Sequence, residues 1–176
     1  PFDDAAGVGP EACRQAAVYV RSELLKSKKL LPKFLAPALE DGAEGVGAGL
    51  IDVEKALELG RANGVDFVLI GTILDASAEE SDSSLGGLSL RKGTVGTSVR
   101  KVKATISIQG DLLAVADGAL VQSFEAKGGK TVSQVGADLS MSWGDYNSGL
   151  GSADTPNAKA MREAVASLVK QILKKV

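Results

Sequence analysis

The stretch from Val99 to Lys127, VRKVKATISIQGDLLAVADGALVQSFEAK, constrains the fold more than any other part of the chain. Val102, Ala104, Ile106, Ile108 and Leu112 fall on one side of an alternating pattern, and Lys101, Lys103, Thr105, Ser107, Gln109 and Asp111 on the other. Period two with one apolar side is the mark of an antiparallel strand with one face buried and one wet. Asp117-Gly118 supplies a turn, because glycine accepts positive φ. Leu120, Gln122, Phe124 and Ala126 continue on the return strand. A long hairpin with one apolar face needs other elements to cover that face.

Three segments have the period and end signals of covering helices. Pro10 suits a first helical position and Glu11 a first turn, with Cys13, Ala16, Ala17, Val20 and Leu24 forming one stripe as far as about Ser27. Asp52 is a good N-cap for a second helix, whose inner face is Val53, Ala56, Leu57 and Gly60 and which Asn63-Gly64 closes. Gly60 would admit close approach to a sheet, at about 1 kcal/mol in helix propensity. Thr155 and Pro156 open the third helix, with Ala158, Met161, Val165, Leu168, Val169 and Ile172 on one face and Lys159, Glu163, Lys170 and Lys174 on the other. Lys174 and Lys175 complement its C-terminal dipole.

Between these lie strand candidates and loops. Pro1 to Asp4 reads as a strand end. Lys29 to Ala36 reads as a short edge strand interrupted by Pro32. Val65 to Leu74 is apolar at almost every position and reads as a central strand covered on both faces. Gly71 within it signals a close backbone approach or a bulge. The segments 38–49, 76–98 and 128–153 are rich in Gly, Ser or acidic residues and read as loops or insertions. The expected fold class is therefore α/β: a mixed sheet with a long antiparallel hairpin and three packing helices, in a single domain over 1–176.

The residue inventory narrows the chemistry. There is no histidine, so the usual catalytic triad and the commonest metal ligand are both missing. The one cysteine, Cys13, lies on the apolar stripe of the first helix, where it reads as a small core hydrophobe. A net charge of −2 argues against a nucleic-acid partner. Aromatics are only 4%, so the core must rest on Ala, Val, Leu and Ile.

The loop Gly45-Val46-Gly47-Ala48-Gly49 has neither the dinucleotide spacing nor a following G-K-[ST], and Asp52 beyond it would repel a phosphate. The acidic run Glu79, Glu80, Asp82 lacks the ligand spacing of a calcium loop and reads as solvated. Asp3, Asp4, Asp66 and Asp75 follow no pattern that pairs them, and Asp66 reads as a strand start or a turn. No catalytic, cofactor or metal site is expected. One segment keeps a different possibility open: Val135, Ala137, Leu139, Met141 and Trp143 alternate with Gly136, Asp138, Ser140 and Ser142. That is first the pattern of an ordinary edge strand or a mobile loop, and it is also that of a membrane β-strand of about 9–11 residues. These five residues are the candidate membrane or partner contacts.

Four segments occur in order: Pro1-Phe2-Asp3-Asp4, Gly64-Val65-Asp66-Phe67-Val68-Leu69-Ile70-Gly71-Thr72-Ile73, Val115-Ala116-Asp117-Gly118-Ala119-Leu120, and Thr155-Pro156 leading into Ala160-Met161-Arg162-Glu163-Ala164-Val165. Together the chain resembles the curli production assembly/transport component (CsgG) family, with its P-F-x-D strand end, its G-A-D-(Y/F)-V strand, a hairpin turn and a final K-A-x-R-E-A helix. It departs at Val65 and in a shortened turn at 116–119, and Cys13 does not replace the family's lipidated N-terminal cysteine. The resemblance implies a fold similar to the N-terminal domain of the Tol translocation protein B. It also implies an N-terminally truncated form of an outer-membrane lipoprotein that faces the periplasm. Function would be non-enzymatic, in curli-type assembly or secretion, through homo-oligomers and contacts with a secreted or periplasmic protein. Some members form a ring whose two inserted hairpins per subunit make a secretion pore, and 76–98 and 128–153 stand where those hairpins stand. A related branch activates cell-wall synthases without a pore, which is the alternative reading.

Overall fold

The alternation at 99–112 does form a strand, but a longer one than the pattern suggests. In the computed structural model, residues 2–33, 52–90, 93–135 and 155–176 are described. Their order is β1 (Phe2–Asp4), α1 (Pro10–Ser27), α2 (Val53–Ala62), β2 (Phe67–Leu90), β3 (Gly93–Ala114), β4 (Leu120–Val135) and α3 (Pro156–Lys175). The four strands form one sheet in the order β1-β2-β3-β4. β1 is parallel to β2 and the other pairs are antiparallel, so the sheet is mixed and the fold is α/β.

The strand face marked by period two is the buried one. Val102, Ala104, Ile106, Ile108 and Leu112 are all buried, as are Ala126, opposite Ile108, and Phe124, opposite Gly110, on β4. α1 and α3 cover this face with Ala12, Ala16, Val20, Met161, Val165, Leu168 and Ile172. Each such buried large side chain contributes roughly 1.5–3 kcal/mol relative to exposure. Among the described residues, the second face is covered at one end, where Ala56 and Leu57 of α2 pack on Val68, Ile70, Leu113 and Val115. Strand 67–74 is thus covered on both sides near its start, as its composition suggests.

Close approach is bought with glycine at particular points. A Cβ on Gly60 would stand 2.8 Å from Val68 Cγ2 and 2.9 Å from Val115 Cγ2, which lets α2 lie against the sheet. A Cβ on Gly71 would run into the Phe2 ring. On Gly128 it would collide with the Ala160 carbonyl oxygen and lie 2.6 Å from the Ala164 nitrogen, so α3 rests on bare β4 backbone.

The helix ends follow the local chemistry. The Asp52 side chain accepts from Lys55 N at 3.2 Å, and the Thr155 hydroxyl accepts from Ala158 N at 3.1 Å. α1 has no capping side chain at Gly9. Instead the Asp4 carboxylate, at the end of β1, accepts from Val8 N at 2.9 Å and from Gly9 N at 2.7 Å. One acid thus ties the end of a strand to the start of a helix. Gly64, at φ +60°, ends α2, and Gly118, at φ +73°, closes the β3–β4 turn with its N–H donating to Ala114 O.

Four expectations need correction. Residues 29–33 form no strand: Leu31 is 93% exposed and Pro32 has no N–H to give a ladder, while 34–36 lie outside the described residues. Glu79, Glu80 and Asp82 lie in β2 rather than in a loop. The segment 76–98 is no separate insertion but the continuation of β2 and β3, paired as far as Leu90↔Gly93. On β4, an irregularity between Leu112↔Gln122 and Leu113↔Leu120 leaves Val121 unmatched, so Leu120 leaves the face of Phe124 and Ala126 and is 56% exposed.

Candidate functional site

Beyond the rows that the helices cover, the strands go on. From Ser81 and Lys101 outwards, β2 and β3 remain paired for about ten residues, on the order of 33 Å, with β4 alongside as far as Val99 and two strands beyond it. The ladder is interrupted once there, between Leu85 and Leu88. β4 accompanies β3 as far as Val99↔Val135, and within the described residues no strand pairs with its outer edge. Among the described residues, β2 likewise has no partner on its outer side once past β1, whose three residues match Gly71 to Ile73.

Inward of this ribbon, the face opposite α1 and α3 carries polar rows set by the register. Ser77 lies opposite Thr105, and their hydroxyls are 2.6 Å apart. Glu79 lies opposite Lys103, with carboxylate and ammonium 3.6 Å apart and both well exposed. Closer to α2, Asp111 accepts from Gln109 Nε2 at 3.1 Å and from Ser123 Oγ at 2.5 Å. These are hydrogen bonds and ion pairs of a solvated face, each worth at most about 1 kcal/mol. They leave a solvated face, bordered among the described residues by two strand edges with no further strand paired to them. Such edges offer unpaired N–H and C=O groups to any further strand.

Of the candidate contacts, Val135 is the last residue of β4 and stands opposite Val99. Ala137, Leu139, Met141 and Trp143 lie outside the described residues, as does the glycine loop 45–49. The acids are not brought together into a pair that could do acid–base work. Asp4 is engaged by two backbone N–H groups, Asp3 accepts from Asp4 N, and Asp75 faces Ser107. Asp66 precedes β2, and its carbonyl accepts from Val115 N at 2.9 Å. Among the described residues no group of three or more His, Cys, Asp or Glu could hold a metal ion, and no helix is long and apolar enough to cross a membrane.

Cys13 is buried on α1. Its thiol is pushed up from 9.0 to about 11, first by burial and then by the negative charges of Asp4 and Asp3. A nucleophilic cysteine needs the opposite shift. Cys13 packs against the sheet as a small apolar side chain.

Two features of this surface escape the residue patterns. The outer ribbon is masked in sequence by serine and glycine, which are poor strand formers. Gly128-Gly129 reads as a loop, yet the pair sits inside β4 because α3 needs the space. The usable signal was the helix itself: Ala160 and Ala164, one turn apart, form a small-residue surface that needs a small partner.

The family model described as "Curli production assembly/transport component CsgG" matches residues 38–176. Among solved structures, the chain is similar to the PelC dodecamer from Paraburkholderia phytofirmans, at 17% identity and a TM-score of 0.44, over 99% of this chain and 81% of that one. It is also similar to lipoprotein GNA1162 from Neisseria meningitidis, at 13% identity and a TM-score of 0.46, over 99% of this chain and 94% of that one. No curated protein matches it in sequence.

Proposed function

Because the chain belongs to the curli production assembly/transport component (CsgG) family, we propose that it is a non-enzymatic lipoprotein domain of the periplasm, associated with the outer membrane. It works in assembly or secretion by joining copies of itself and by holding a secreted or periplasmic protein. One observation carries this reading: β2 and β3 stay paired for about ten residues beyond the covered rows, and among the described residues no further strand pairs with β2 there or with β3 beyond Val99. Strands of about 9–11 residues are long enough to cross a bilayer once a barrel closes their edges. In this reading 1–176 is one CsgG-like domain, and Val135, Ala137, Leu139, Met141 and Trp143 touch a neighbouring copy, the membrane or a partner.

The test uses the full-length lipidated protein in outer-membrane vesicles. Trp143 is the one tryptophan of residues 1–176, so with any tryptophan outside them replaced by Phe its emission reports the segment 128–153. A ring by native mass spectrometry, channel conductance, and Trp143 emission that shifts to the blue and is quenched by brominated lipid are the expected results. A strict monomer without conductance, with Trp143 in water, overturns the pore. If that monomer also recovers a soluble periplasmic protein, the regulatory reading, of the kind that activates cell-wall synthases, takes its place.

A further inference from the structure

At the opposite end of the molecule from the ribbon lies a cavity of about 530 Å³, between the C-terminal half of α1, residues 29–33, the start of β2 and the end of α3. That volume falls within the roughly 300–1,000 Å³ of small-molecule pockets. Its floor is apolar and buried: Val20, Leu112 and Ile172 are between 2% and 5% exposed. Its mouth is different. Leu31 and Phe67 are 93% and 41% exposed there, beside the cations Arg21, Lys29 and Lys33. Asp66 is the one acid among the described lining residues. Lys33 Nζ donates to Asn63 O at 2.6 Å, which fixes its position and leaves two of its three donors for other use. A cationic mouth is notable on a chain whose net charge is −2.

We infer that this cavity binds a single acyl chain with an anionic head, of the fatty-acid class, with the chain on the Val20–Leu112–Ile172 floor and the head among Arg21, Lys29 and Lys33. The chemistry is two-part. An apolar floor rewards methylenes, at about fourfold in affinity for each one buried. The basic rim rewards a carboxylate over a neutral head, since charge-assisted hydrogen bonds are the stronger kind. This inference does not depend on assembly or pore formation, and its test can fail while the proposed function stands.

The experiment is displacement of 11-(dansylamino)undecanoic acid from the purified chain by laurate, kept below its micelle concentration. Saturable one-to-one binding is expected, with decanoate at least tenfold weaker and dodecanol at least fivefold weaker than laurate. Arg21→Glu with Lys29→Glu should weaken laurate at least tenfold and leave dodecanol unchanged. Ala17→Trp, which fills the cavity from α1, should abolish both, with circular dichroism unchanged. The double charge variant lies on the surface and tests the rim even if Ala17→Trp does not fold. The inference is overturned by absence of laurate binding, by binding that no charge reversal alters, or by binding seen only with dioleoylphosphatidylglycerol vesicles. The last result would make the basic mouth a bilayer contact and leave the cavity empty of a chain.

Discussion

β2 and β3 pass through two environments. Near α2 they are apolar on both sides: Val68, Ile70, Leu113 and Val115 face that helix, while Ile73 and Leu112 face α1 and α3. One or two turns of pleat further on, Ile106 and Ala104 still lie under helix, but their neighbours Thr105 and Lys103 face water. The first region is a core, where removing an atom leaves a hole. The second is half a core, and it tolerates change on one side only. The contrast shows that, among the described residues, this sheet is stabilised from its base and from one face, and that no described element covers the opposite face beyond α2.

The contrast can be broken most severely at Gly128. Gly128→Val places a branched side chain into the backbone of α3 at Ala160 and Ala164, with no flexible atom to yield. A loss of about 4 kcal/mol or more in urea unfolding is expected, and a loss under 1 kcal/mol would mean that α3 does not rest on β4. Next is a comparison of adjacent residues on one strand. Ile106→Ala, at a site 1% exposed, should cost about 3 kcal/mol. Thr105→Ala, one position away on the wet face, should cost no more than about 1 kcal/mol, the worth of its hydrogen bond to Ser77. Equal losses from the two would show that the polar face is covered.

The third prediction sharpens the base by pH. Because the Cys13 thiol titrates higher in the folded chain than its ordinary 9.0, folding favours the protonated form. Its contribution is intact below pH 9 and is lost as pH rises towards about 11. The wild type should lose on the order of 2 kcal/mol over that window relative to Cys13→Ala, whose stability lacks this component. Parallel curves for the two proteins in urea titrations at pH 8 to 11 would place Cys13 in water.

Much of the base is readable in the sequence, because there each residue has one reason to be what it is. Pro10 and the stripe from Cys13 to Val20 locate α1, and Thr155-Pro156 and the stripe from Ala158 to Ile172 locate α3. The buried face of β3 matches its alternation residue by residue. The misreadings fall where two demands compete. KLLPK is apolar enough for a strand, yet Pro32 denies it a ladder and it lines a cavity instead. Glu79 and Glu80 carry the composition of a loop, but their neighbours Ala76 and Ala78 pair with Ile106 and Ala104. Gly128 carries the composition of a turn because a helix backbone occupies the space of its side chain. The contacts at 137–143 carry only their alternation, which water and lipid share.

The irregularity at Leu74 has a consequence for how this strand can vary. Ile73 pairs with Ile108 and Asp75 with Ser107, so Leu74 is an extra residue without a partner. Before it, odd-numbered residues of β2 face α1 and α3. After it, even-numbered ones do: Ala76, Ala78 and Glu80, opposite Ile106, Ala104 and Val102. The strand is read in two frames, as a message is on either side of an inserted letter. Deleting Leu74 alone would remove the bulge and join the two frames into one regular alternation, with Ile73 and Ala76 still facing the helices and Asp75 still facing away. Lengthening or shortening the outer ribbon by residue pairs would leave both frames intact, so ribbon length can drift among relatives while the base stays the same.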